Sequence, residues 1–137
     1  MPHIGQHCLV EAYGCPATML NDESLLLRTL KGAADRGGFT LLSHVSRKFQ
    51  PQGVTAIGLM AESHLSIHTW PERGIAAIDA FTCGTEADPA AACQHIVECL
   101  QAERHDIQVI ARGSSSDAKF FSSSRKETPP SLLGDTR

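Results

Sequence analysis

Gly53-Val54-Thr55-Ala56-Ile57-Gly58-Leu59-Met60-Ala61-Glu62-Ser63-His64-Leu65-Ser66-Ile67-His68-Thr69-Trp70-Pro71-Glu72 decides the fold. Val54 to Ala61 is apolar and β-branched, and Leu65 to Thr69 alternates; both stretches read as strands. Only a hairpin-length connection separates them, so they pair antiparallel. That connection carries a carboxylate, a hydroxyl and an imidazole side by side. Burying such groups is unfavourable unless they are paired or used chemically. His68, the chain's one Trp, and Pro71-Glu72 follow at the end of the second strand. Polar residues gathered at strand ends are a functional signal rather than a folding one.

Working outward, His7 to Tyr13 reads as a first strand, broken by Gly14-Cys15-Pro16. Asn21 is placed to cap a helix, with Asp22 and Glu23 in its acid-favouring first turn. Leu26, Leu27, Leu30, Ala33 and Ala34 form that helix's apolar stripe, and Gly37-Gly38 stops it. Phe39 to Phe49 is the next strand, and Gln50-Pro51-Gln52-Gly53 is a turn. Beyond the quoted stretch, Pro71 to Gly74 turns the chain into a strand from Ile75 to Thr82. Asp88-Pro89 caps and opens a helix running to about Ala102, with Ala92, Ile96, Cys99 and Leu100 inward. Ile107 to Ala111 is the last strand. The order β-α-β-β-β-β-α-β, with short central turns, gives an α+β two-layer sandwich. Its mainly antiparallel sheet carries two helices on one face. The other face keeps apolar residues and needs a partner.

A chain of 137 residues is one domain by length. Its formal net charge of -3 leaves no electrostatic footprint for nucleic acid. No apolar run reaches membrane-spanning length, and no charged segment precedes an apolar one at the N-terminus. Cytoplasm is the expected compartment. Cys8, Cys15, Cys83, Cys93 and Cys99 make an odd set without Cys-x-x-Cys spacing, which fits free thiols better than a disulfide framework. Four of them read as small core residues; Cys83, closing a strand as Thr82-Cys83-Gly84, stands apart. Residues 1–112 read as the folded domain, and 113–137 as a Ser/Pro-rich tail whose composition favours disorder.

Ala61 to Glu72 together with Asp79-Ala80-Phe81-Thr82-Cys83-Gly84 resembles the small prokaryotic S-adenosylmethionine decarboxylases. Phe49 to Thr55, Glu11-Ala12-Tyr13-Gly14-Cys15 and Leu20-Asn21-Asp22 fit the same pattern, and the resemblance runs collinearly over about residues 5–113. It implies a homodimer in which two sheets face one another. It also implies self-cleavage between Glu62 and Ser63 that turns Ser63 into a pyruvoyl group, the cofactor that takes the substrate amine as a Schiff base. By the same resemblance, Thr55 stabilises the oxyanion during processing and His68 is the base for elimination. Cys83 then returns a proton to the substrate carbon during turnover. Phe49 and Trp70 are suited to an adenine ring or a sulfonium, Leu65 to an apolar wall, and Glu72 to ribose hydroxyls. His64 matches the motif without an assigned role. Thr55 stands where relatives often carry Ser, and Arg47-Lys48 where many carry His. No metal is expected. The implied product is the aminopropyl donor for spermidine and related polyamines.

Two alternatives share the resemblance: the same chemistry on arginine or ornithine, and an unprocessed pseudoenzyme that pairs with an active partner. Phe49, Trp70 and Glu72 favour the nucleoside substrate over the first. Intact Glu62-Ser63, His68 and Cys83 oppose the second. A metal hydrolase built on His64, His68 and Cys83 is a third, weaker reading, because lone His pairs are weak signals. A regular strand also sets positions 63 and 68 on opposite faces, so they meet only if the backbone bends near 63–64.

Overall fold

The computed structural model describes residues 4–61, 63–83 and 87–113; Glu62 and all of the Ser/Pro-rich tail except Gly113 lie outside them. The elements are β1 (Gly5–Tyr13), α1 (Ala17–Leu20), α2 (Glu23–Gly37), β2 (Leu41–Lys48), β3 (Val54–Met60), β4 (Ser63–Trp70), β5 (Ile75–Thr82), α3 (Pro89–Cys99) and β6 (Arg104–Arg112), with a 3-10 turn at Pro71–Arg73. All six strands form one antiparallel sheet in the order β2-β3-β4-β5-β1-β6. Helices α2 and α3 pack on each other and on the same face of that sheet. The α+β two-layer reading therefore describes the protomer. Among the described residues no helix is long and apolar enough to cross a membrane.

Period-2 alternation sorts β1, β3, β4 and β5 into a buried face and a more exposed one, while β2 and β6 at the sheet edges have no buried residue. Cys8, Val10, Ala12, Val54, Ala56, Met60, Leu65, Ile67, Ala76, Ile78 and Ala80 point under the helices and are almost fully enclosed. Leu20, Leu26, Leu30, Ala33, Ala92, Cys93, Ile96 and Leu100 close the core from above. Fully burying each large aliphatic side chain contributes about 1.5–3 kcal/mol. The opposite face is open. It carries Val45, Ile57 and Leu59 in register across β2 and β3, with Val45 and Leu59 exposed by 63% and 54%.

Several boundaries differ from the sequence reading for local reasons. Asp22, not Asn21, caps α2, its carboxylate accepting from Leu25 N at 3.1 Å. Asn21 is used elsewhere: its side-chain oxygen accepts from Gly53 N at 3.0 Å. Gly38 ends α2 in the left-handed region, with φ 77°. Helix α3 stops at Cys99 rather than near Ala102, because Leu100 closes it and Gln101 turns left-handed at φ 52°. Cys99 is only half-buried, its sulfur 3.4 Å from His95 Nε2, while Cys93 and Val97 join Ala92 and Ile96 inward. Strand β6 extends three residues before the apolar run Ile107 to Ala111, because its full pairing with β1 sets its length.

Candidate active site

Ser63 is the first residue of β4. It pairs with Met60 on β3 and with Thr82 on β5, so Ala61-Glu62 is a two-residue connection at the tip of the β3–β4 hairpin. Ser63 falls on the helix side and is 8% exposed. Its hydroxyl lies within hydrogen-bonding distance of two acceptors, Ala61 O and Thr82 Oγ1, each at 3.3 Å. Thr82 is 2% exposed and has no separate role in the sequence reading; its place in the Asp79 to Gly84 run was the available signal. Cys83 follows Thr82 directly and is half-buried. Ser63, Thr82 and Cys83 thus cluster at one end of the central strands.

A second cluster forms at the other end. Thr55 and His68 are direct cross-strand partners, and Thr55 Oγ1 and His68 Nδ1 share a hydrogen bond of 3.0 Å. Whichever tautomer is present, that bond fixes the ring and leaves Nε2 as its other polar atom. Trp70 ends β4 opposite Ile75, and Glu72 sits exposed in the 3-10 turn that follows. Phe49, 38% exposed, leaves β2 at the same end, where its N–H donates to Gly53 O at 2.8 Å.

The pairing of β4 with β5 is unbroken from Ser63 to Trp70. No bend brings Ser63 to His68. Five residues of strand separate them by about 17 Å, and they face opposite sides of the sheet. Leu65 is 0% exposed, pairing with Gly58 and Ala80 inside the core. The structure thus groups Phe49, Thr55, His68, Trp70 and Glu72, holds Ser63 and Cys83 apart from them, and sets Leu65 beneath the helices.

His64 occupies the open face. Its ring stacks on Phe81 with centroids 5.8 Å apart and planes 11° from parallel, and His7 meets both edge-on. His7 Nε2 lies 3.2 Å from Asp79 Oδ1, and Ser66 Oγ donates to Asp79 Oδ2 at 3.4 Å. His64 and His68 share this face, but four residues of strand separate them by roughly 13 Å. One zinc ion with bonds of about 2.0–2.1 Å to each ring does not bridge that gap. Among the described residues no group of three or more His, Cys, Asp or Glu is arranged to hold a metal ion.

The core thiols differ in environment. Burial pushes Cys15 up to about 11. A hydrogen bond with Cys8, reinforced by burial, pushes Cys93 up, and the same bond lowers Cys8. The raised pKa and enclosure of Cys15 and Cys93 suit packing rather than nucleophilic chemistry.

Residues 6–113 match the family model described as S-adenosylmethionine decarboxylase. The chain belongs to the S-adenosylmethionine decarboxylase family. One relative, the S-adenosylmethionine decarboxylase proenzyme of Synechococcus sp. (strain WH7803), is 49% identical over 109 residues, covering 80% of this chain and 85% of that protein. The proenzyme of the same name from Pyrococcus abyssi (strain GE5 / Orsay) is 40% identical over 121 residues, covering 88% and 87%. The crystal structure of the adenosylmethionine decarboxylase from Aquifex aeolicus superposes with a TM-score of 0.78 at 35% identity, over 85% of this chain and 97% of that one. The two separated clusters are therefore carried on a fold shared with a solved decarboxylase of this family.

Proposed function

We propose that this chain is a pyruvoyl-dependent S-adenosylmethionine decarboxylase that matures by cleaving itself between Glu62 and Ser63. The observation that carries the reading is the position of Ser63. A buried hydroxyl, hydrogen-bonded to Thr82, begins a strand directly after a two-residue hairpin connection. Cleavage there leaves every pair of β4 with β5 in place. Ser63 Oγ attacks the Glu62 carbonyl carbon; the new C–O bond replaces the C–N bond and gives an ester. A base then removes the Ser63 α-proton, a Cα–Cβ double bond forms and the Ser63 Cβ–Oγ bond breaks. Fragment 1–62 leaves with the Glu62 carboxylate, and hydrolysis of the resulting enamine releases ammonia and leaves a pyruvoyl group at 63.

Thr82 is the direct cross-strand partner of Ser63, and the pyruvoyl carbonyl would stand at residue 63. When present, that carbonyl supplies the electron sink for decarboxylation that amino-acid side chains lack. Cys83 delivers a proton to the substrate carbon left by carbon dioxide. Thr82 holds the residue-63 end of β4 in place. Phe49 and Trp70 bind the adenine or the sulfonium, and Glu72 accepts from the ribose hydroxyls. The product is an aminopropyl donor for polyamine synthesis.

The separation of the clusters calls for a second copy. The open face, with Val45, Ile57, Leu59 and the Thr55–His68 pair, is the face a homodimer covers. With its two-fold axis across the strands, such a face-to-face dimer runs the two sheets in opposite directions, and the Phe49–Glu72 end of one copy meets the hairpin end that carries Ser63 and Cys83 in the other. Each dimer then holds two composite sites, and Thr55 and His68 process the partner copy. The functional test is release of carbon dioxide from carboxyl-labelled S-adenosylmethionine, compared with arginine and ornithine. Release from the nucleoside substrate alone is the expected result. Faster release from a basic amino acid would sink the substrate assignment.

A further inference from the structure

The segment from Cys15 to Asn21 makes three separate ties to the elements that carry the proposed substrate contacts, and none has a role in the chemistry described above. Asn21 Oδ1 accepts from Gly53 N at 3.0 Å. Gly53 closes the turn that Phe49 opens, since Phe49 N donates to Gly53 O at 2.8 Å. Leu20 O accepts from Thr69 Oγ1 at 2.7 Å, and Thr69 immediately precedes Trp70. Cys15 N donates to Gly74 O at 3.0 Å, and Gly74 ends the 3-10 turn that carries Glu72. Phe49, Trp70 and Glu72 lie on different elements, yet each is moored to this one short segment.

We propose that Cys15–Asn21 is the platform that positions the substrate-binding residues, with Asn21 the side chain that sets the Phe49 turn. This rests on the reading of Phe49 as a substrate contact. Asn21 is suited to the task because the group it satisfies is a backbone N–H 32 residues away, not one in its own helix. The turn has little freedom of its own. Gly53 sits at φ +105°, and a Cβ there would lie 3.2 Å from Thr69 O, so the turn is seated directly on the strand that presents Trp70. Val54, next in the chain, is held by the same threonine, its N–H donating to Thr69 Oγ1 at 2.9 Å. Asn21 and Thr69 thus grip the turn at successive peptides. Asn21 touches no reacting atom, and its effect passes through Phe49.

The test is a double-mutant cycle between Asn21 and Phe49 on the full chain, read as KM for S-adenosylmethionine, with intact mass reporting self-cleavage. Asn21→Ala should raise KM about 3- to 10-fold, the scale of one lost hydrogen bond, and leave self-cleavage and kcat near wild type. Asn21→Asp keeps an acceptor for Gly53 N and should restore KM. In a Phe49→Ala background, Asn21→Ala should add little, because the residue it positions is gone. Should Asn21→Ala not fold, Gly53→Ala perturbs the same turn from its other side and should show the same rise in KM. A wild-type KM for the folded Asn21 or Gly53 variant, beside a raised KM for Phe49→Ala, overturns the positioning role alone. Full additivity with Phe49→Ala overturns it too. An unchanged KM for Phe49→Ala itself overturns the substrate-contact reading, and the positioning role with it.

Discussion

Thr69→Val isolates a polar tie in the middle of the core. Thr69 is 0% exposed, and its hydroxyl donates to Leu20 O at 2.7 Å while accepting from Val54 N at 2.9 Å. Valine has nearly the same shape, so no cavity opens. What is lost is one hydroxyl and the satisfaction of two backbone groups, one of them on Val54, which is itself fully buried. An unsatisfied buried donor or acceptor costs roughly 1–3 kcal/mol, so the pair predicts about 2–6 kcal/mol of destabilisation. With a urea slope of about 2 kcal/mol/M, that moves the unfolding midpoint down by about 1–3 M. The measurement belongs on a Ser63→Ala background, so that one covalent species unfolds, at a fixed protein concentration. Thr69→Ser is the control: it keeps the hydroxyl and loses a methyl worth about 1 kcal/mol. The reasoning is refuted if Thr69→Val is as stable as its parent, or if Thr69→Ser falls equally far, because packing rather than hydrogen bonding would then set the effect.

Three further outcomes follow from the site. Trp70→Ala should weaken S-adenosylmethionine binding by roughly 1–3 kcal/mol, the scale of an aromatic stacked on a nucleobase, measured by KM or by titration with a non-reacting analogue. Cys83→Ala should still cleave at residue 63 but decarboxylate about 10²- to 10⁴-fold more slowly, as befits a lost general acid, and should inactivate during turnover through protonation at the wrong carbon. Ser63→Ala and His68→Ala chains should each stay uncleaved when made alone. Co-expressed, they should form mixed dimers in which the His68→Ala chain, facing an intact His68, is cleaved; no cleaved product in a demonstrated mixed dimer would rule out processing by the partner.

Most of the sheet was legible because its signals are local. Alternation in β5 and the turn residues at 50–53 and 71–74 mark strand and turn, and Asp88-Pro89 marks a helix start. The errors came where a residue serves a distant partner or where pairing outweighs composition. Asn21 resembles a cap, but its neighbour Asp22 caps α2, and Asn21 reaches Gly53 instead. Strand β4 begins at Ser63 rather than Leu65, because Ser63 and His64 fit the alternation, one to each face, despite their polarity. Motif matching named candidate site residues but gave no distances. The odd-even parity of 63 and 68 was the one sequence clue that they part company, and the regular β4 pairing makes that separation definite. Leu65 shares Ser63's parity, which carries it into the core.

The central claim is self-cleavage at Ser63, and intact-mass analysis of the purified chain tests it most directly. The account requires two fragments, residues 1–62 and 63–137, the second lacking a free amino terminus and reactive toward carbonyl reagents. Ser63→Ala should give a single full-length mass. A single unmodified full-length mass from an actively decarboxylating wild-type preparation would contradict the account.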